Sequence, residues 1–303
     1  MRSLRFLALL FLSAFLASRS PAKPNVVAAQ PLLADFAHVI AQDDVELTCL
    51  LTANADPHSY EPSPADLRRL VQADLVIVNG LGLEPWIDQL VHNSGFRGRL
   101  AVASQGCPLQ LHLQNYTNQN DDEGAAASRE WDPHAWHDLA NARDYVIVIR
   151  DALKQVEPAA AARFDKRAKA YTELLDELER YTRAQLATIP ANQRRLVTSH
   201  DSLQYLAHEY GLKIIPIAGS RPDQEPSARE LGQVISLIKN QHVRAVFFEP
   251  TSSPALAQVV AQEAEVKVVR ELCTDGLGAP DSVNGTFLGM FRHNIDTITW
   301  ALR

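Results

Sequence analysis

Two series of short apolar runs, each run followed by a helical pattern, flank one long unbroken helical stretch, and this arrangement constrains the fold most. The first series predicts strands at 25–29, 45–51, 75–79 and 100–103, with helices near 31–41, 64–72 and 85–91. Pro31, Pro64 and Pro85 stand at the starts of these helices, where a missing N–H costs nothing. The second series predicts strands at 195–199, 213–218, 243–249 and 266–270, with helices at 202–210, 227–239, 254–263 and 285–302. Strands that alternate with helices pair in parallel, so each series implies its own α/β lobe.

Between the series, residues 158–188 keep one period. Phe164, Ala168, Tyr171, Leu175 and Leu178 define an apolar face, and Lys166, Arg167, Glu173, Glu177 and Arg180 fill the rest. The repeat is not sustained as heptads, so the stretch reads as one helix spanning both lobes rather than a coiled coil. A stiff helical connection restricts hinge motion more than a flexible linker does. The expectation is an α/β protein of two βα lobes with mostly parallel sheets, 23–157 and 189–303, joined by a long helix at 158–188. A chain of 303 residues is long enough for two such lobes.

The N-terminus has the three parts of a secretory leader. Arg2 and Arg5 precede an apolar run at 6–16, and Ser20 and Ala22 occupy the small-residue positions of a cleavage site before Lys23. The run falls short of the roughly 20 apolar residues that cross a bilayer. No cysteine follows it, so a lipoprotein attachment site is not expected; residues 1–22 are a cleaved signal peptide and the mature protein is soluble and periplasmic. Net charge is −7, with basic residues scattered among acidic ones, which argues against DNA or any other nucleic-acid partner. Cys49, Cys107 and Cys273 lack the close spacing of a thiolate zinc site, and at most one disulfide can join them. The polar stretch 112–129, with its acidic run Asp121, Asp122 and Glu123, breaks all periodicity and reads as a solvated loop.

Three histidines stand at strand ends or in turns, where α/β lobes place their ligand-binding groups. His58 lies in Asp56-Pro57-His58, after the second strand. His134 lies in Asp132-Pro133-His134, after the polar stretch and before a helix, and His200 closes the strand at 195–199. Each Pro fixes the backbone before its imidazole, and each Asp can accept a hydrogen bond that orients a ring or a turn. A fourth donor, Asp275, follows the last strand, beside Gly276, which permits close backbone approach. Two residues from each lobe would then meet in the interlobe cleft. Three imidazoles and a carboxylate suit Zn²⁺, which takes four ligands at about 2.0–2.2 Å. Glu249 is read as a structural hydrogen-bond acceptor, Glu61 and Arg221 as residues that fix loop geometry, and His92, His137, His208 and His242 as surface or packing residues.

The segments Asp56-Pro57-His58-Ser59-Tyr60-Glu61-Pro62-Ser63-Pro64, Asn79-Gly80-Leu81-Gly82-Leu83-Glu84-Pro85-Trp86, Asp132-Pro133-His134, Thr198-Ser199-His200 and Glu225-Pro226-Ser227 resemble those of the substrate-binding proteins of zinc and manganese ABC importers. The resemblance runs from about residue 25 to the C-terminus. It implies two lobes joined by a long helix, a membrane permease as partner, and His58, His134, His200 and Asp275 as metal ligands. In that family a third-position His accompanies zinc and a Glu accompanies manganese, in keeping with the preference of imidazole for Zn²⁺ and of carboxylate for the harder Mn²⁺. His200 therefore favours Zn²⁺ as the transported ion, with Mn²⁺ or iron as the alternative. The His-rich acidic loop of zinc members is here depleted of histidine. The expected protein is a monomer and not an enzyme. The competing reading, an exported zinc hydrolase, needs an open coordination position and a general base such as Asp201 or Glu249, whereas four protein ligands close the shell. An adhesin is a third reading, for which the chain offers no apolar or basic patch.

Overall fold

The computed structural model describes residues 22–53, 55–113, 130–219, 226–249, 254–270 and 272–303. The leader up to residue 21, most of the polar stretch with its acidic run, Arg221 and Glu225 lie outside them.

The first lobe contains β1 (Asn25–Ala28), α1 (Pro31–Ala41), β2 (Glu46–Cys49), α2 (Pro64–Val71), β3 (Leu75–Val78), α3 (Ile87–Ser94) and β4 (Arg99–Val102). The second contains β5 (Arg195–Thr198), α6 (Gln204–Tyr210), β6 (Lys213–Pro216), α7 (Ala228–Asn240), β7 (Ala245–Phe248), α8 (Pro254–Ala264) and β8 (Lys267–Arg270). Both sheets are parallel and share one topology, β2-β1-β3-β4 and β6-β5-β7-β8. The strand sequences explain the order. β3 (LVIV) and β7 (AVFF) are buried at every position and fit the interior of a sheet covered on both faces, while β2 (ELTC) alternates and lies at an edge. Ser63 with Asp66 and Ser227 with Glu230 close reciprocal capping boxes at the starts of α2 and α7.

The predicted helix at 158–188 is observed as α5 (Ala161–Leu186), entered through a short 3-10 turn at Pro158–Ala160. Its predicted apolar face is buried throughout, with Thr182 and Leu186 extending it. The sequence places a helix after His134 without giving its extent. The structure makes it α4 (Leu139–Val156), capped by Asp138, whose carboxylate accepts from the Ala140 amide. α4 and α5 pack against each other and against α1, and the last helix, α9 (Phe287–Leu302), packs on both α5 and α1.

Phe36 of α1 is the centre of this packing. Its ring lies 6.2 Å from Tyr145 of α4, 6.0 Å from Tyr171 of α5 and 4.8 Å from Phe287 of α9. Beside it the Asp35 carboxylate accepts from the Phe287 amide at 2.8 Å, so a first-lobe side chain caps α9. Arg167 of α5 donates to the Ile40 and Ala41 carbonyls at the C-terminal end of α1. One continuous core therefore runs from Val26 to Leu302, and a smaller core lies under α7 and α8. Lobes that share a core move little relative to each other. Among the described residues no helix is long and apolar enough to cross a membrane. None of the three cysteines forms a disulfide.

Candidate metal centre

His58 sits in the loop after β2, and that loop is held from several sides. Asp56 accepts from the His58 amide at 2.8 Å and from the Ser59 hydroxyl at 2.7 Å, and so shapes the turn. Trp86 Nε1 donates to the Pro57 carbonyl at 2.8 Å, and Tyr60 donates to the buried Asp66 at 2.9 Å.

The second Asp-Pro-His works on the ring instead. Asp132 Oδ1 accepts from the His134 amide at 3.0 Å and lies 2.7 Å from His134 Nδ1, which leaves Nε2 directed at the cluster. The intervening Pro133 carbonyl is fixed by Asn79, whose side chain donates to it at 2.9 Å while accepting from the Tyr145 hydroxyl at 2.6 Å. The Asn79 amide in turn donates to the buried carboxyl of Glu84 at 2.8 Å. Burial pushes that carboxyl up to about 7 against the pull of the Asn79 and Gly80 amides.

His200 follows β5 directly, and its Nδ1 lies 2.8 Å from Glu249 Oε2 at the end of β7. Asp275 follows β8. Asn294 of α9 secures the approach to it by accepting from the Cys273 amide at 3.0 Å and donating to the Cys273 carbonyl at 2.6 Å. The Thr274 hydroxyl donates to Glu249, the same carboxylate that faces His200. A Cβ at Gly276 would lie 3.0 Å from the Ala53 carbonyl of the first lobe, so a larger residue there would crowd the approach of the two lobes.

The fold brings all four sequence-predicted residues to one point. His58, His134, His200 and Asp275 each offer a donor atom within 4.8 Å of the others, and all four are buried. His134 Nε2 lies 3.3 Å from His58 Nε2 and 3.3 Å from Asp275 Oδ1, and His200 Nε2 lies 3.1 Å from Asp275 Oδ2. Ligand atoms at tetrahedral corners about 2.0 Å from a central ion stand roughly 3.3 Å apart, so these three separations are compatible with such a shell. Asp275 turns one oxygen towards each of two imidazoles.

The electrostatics oppose burial with charge. Burial alone would lower His134, but the hydrogen bonds and charges of Asp132 and Asp275 outweigh it and raise the ring to about 9. Burial is likewise outweighed at His200, where the Asp275 and Glu249 carboxylates hold the ring well above its ordinary value. Asp275, whose burial favours the neutral acid, is held well below the carboxylate range by the two imidazoles. The cavity is thus built to contain positive charge. Asp132→Asn and Glu249→Gln keep size and hydrogen bonding but remove the oriented negative charge. Each is expected to weaken metal affinity about 10- to 100-fold, the usual effect of losing such a partner, as read by competition with a chelating dye.

Of the two roles read for His137, surface or packing, the structure shows packing. It is fully enclosed, its Nε2 lies 3.1 Å from the Thr274 carbonyl, and burial together with the neighbouring His134 charge lowers it to about 3. Trp136 Nε1 donates to the same carbonyl at 3.1 Å. The spacing of these residues from His134 was visible in the sequence, but their partner lies more than a hundred residues away. Glu249 is the acceptor it was read to be, and its partners include the His200 ring. Glu61 is exposed and takes no place in the cluster.

The model of the family described as zinc-uptake complex component A, periplasmic, matches residues 26–301. The manganese-binding lipoprotein MntA of Halalkalibacterium halodurans is 31% identical over 92% of this chain and 88% of its own. The iron-binding protein YfeA of Yersinia pestis is 30% identical over 94% of this chain and 90% of its own. The zinc-binding protein TroA of Treponema pallidum is 33% identical over 92% of this chain and 89% of its own. The solved structure of TroA superposes with a TM-score of 0.83 at 30% identity, over 93% of this chain and 99% of that one. The chain belongs to the family of periplasmic zinc-uptake component A, metal-binding substrate-binding proteins of ABC importers and not enzymes.

Proposed function

We propose that the chain captures Zn²⁺ outside the cytoplasmic membrane and delivers it to the permease of an ABC importer, with His58, His134, His200 and Asp275 as the four ligands. The observation that carries this reading is the cluster of four buried donor atoms within 4.8 Å, built from both lobes and backed by Asp132 and Glu249. Three imidazoles favour Zn²⁺ over harder ions. The two oxygens of Asp275 keep Mn²⁺ and iron as the second reading, and relatives of this chain are named for zinc, manganese and iron. Release would follow when the docked permease draws away a ligand of the second lobe, His200 or Asp275.

Elemental analysis of protein purified without added metal, followed by competition between Zn²⁺ and Mn²⁺, tests the choice of ion. One zinc per chain and a Zn²⁺ preference are expected, whereas a Mn²⁺ preference would replace zinc in this reading. His200→Glu is expected to move the ranking towards Mn²⁺, and an unchanged ranking would contradict the role given to the third imidazole.

Binding should also be linked to protons. With His134 raised to about 9, its ring holds a proton at neutral pH that the metal must displace. Apparent affinity should therefore rise with pH through the range in which the His134 and His200 rings lose their protons, about tenfold per unit for each proton displaced. Calorimetry in buffers of different ionisation enthalpy should register the released proton directly.

A further inference from the structure

We propose that Trp136 and His137 are positioning residues that hold the Asp275 loop against the first lobe and thereby set the rate at which metal leaves. The inference rests on the metal-capture reading and adds to it a determinant outside the four ligands.

The two residues lie in a short 3-10 turn, Ala135–His137, directly after His134. Both point across the cleft to one atom, the carbonyl oxygen of Thr274, with Trp136 Nε1 and His137 Nε2 each 3.1 Å from it. With that oxygen as acceptor, His137 carries a proton on Nε2 and donates it. Trp136, His137 and Thr274 are all buried, so water cannot replace either donor at low cost. Thr274 directly precedes Asp275. A ligand-bearing turn in one lobe thus grips the residue beside a ligand of the other.

Two further anchors of that loop belong to its own lobe. Asn294 holds Cys273 and Glu249 holds the Thr274 hydroxyl. These fix the loop to the second lobe but do not bring it to His58 and His134. The Trp136–His137 pair does, and beside it Gly276 passes so near the first lobe that an added Cβ would lie 3.0 Å from the Ala53 carbonyl. A carboxylate that must swing away for an ion to leave is retained by whatever holds its backbone. Loss of the two donors should speed departure and leave capture by the open site unchanged.

The test uses the full chain loaded with Zn²⁺, with release followed by stopped flow into excess chelating dye and association measured separately. Trp136→Phe and His137→Leu are each expected to raise the dissociation rate about five- to tenfold, the rate equivalent of one buried hydrogen bond. The double variant, which leaves the buried carbonyl without either donor, is expected to raise it about a hundredfold. His137→Gln keeps an N–H donor and should stay within about twofold of the parent, as should all the association rates. Hydrogen exchange at the amides of residues 272–277 should quicken in step with release. Dissociation at the parent rate in both Trp136→Phe and His137→Leu would overturn the inference. A loss in His137→Gln equal to that in His137→Leu would overturn it too, since packing and not donation would then be responsible. If the parent itself retains no metal, the capture reading fails; if the parent retains metal and the variants release it no faster, only this inference fails.

Discussion

Replacement of His200 by alanine lowers the affinity for Zn²⁺ by more than about a hundredfold while leaving the fold intact. The lower bound follows from magnitudes, since loss of an outer partner alone costs about 10- to 100-fold and His200 is proposed as a ligand itself. The substitution also strips Glu249 of the imidazole 2.8 Å away and leaves a buried carboxylate facing a gap. Asp275 Oδ2 loses its neighbour at 3.1 Å, so the carboxylate is no longer steered by two rings. Titration against a chelating dye of known affinity reads the loss, and far-UV circular dichroism checks that the lobes remain folded. An unchanged affinity would remove His200 from the site.

Phe36→Ala is expected to cost about 3–5 kcal/mol of stability, by analogy with other buried aromatic truncations. The phenyl ring is fully buried and meets Tyr145, Tyr171 and Phe287, one from each of α4, α5 and α9. Its removal opens a cavity where the first lobe joins the helices that lead to the second. Because Asp35 caps α9 from the adjacent position, the cavity should also weaken the tie between the lobes. Chemical denaturation of the metal-free protein measures the effect. The added Zn²⁺ should restore part of the stability by mass action, since it binds only the folded chain. A loss below about 1 kcal/mol would mean that the four helices are held together elsewhere.

Local pattern carried much of the fold. β3 and β7 were legible as apolar runs because both their faces are covered, and α5 was legible because one stripe repeats along its whole length. The prolines at the starts of α1 and α2 marked those helix ends. Of the site, the paired Asp-Pro-His segments were legible, and the structure divides their aspartates between two tasks: Asp56 shapes a turn and Asp132 orients a ring. The pairings across the cleft were not legible. The Thr274 carbonyl that receives Trp136 and His137 lies 138 and 137 residues away from them, and Asp35 meets the Phe287 amide across 252 residues. Such contacts depend on how the helices between the lobes pack, and no spacing in the chain encodes them locally. Glu249 illustrates the same limit, since a carboxylate at a strand end looks alike whether it faces solvent or, as here, an imidazole.

In the proposed function one ion is held between the lobes by three imidazoles and one carboxylate. Anomalous diffraction from crystals of the zinc-loaded protein, collected on either side of the zinc absorption edge, tests it most directly. One strong peak per chain is expected, about 2.0–2.2 Å from a ring nitrogen of each of His58, His134 and His200 and from an Asp275 oxygen. A peak elsewhere on the chain, or one lacking any of those four contacts, would contradict it.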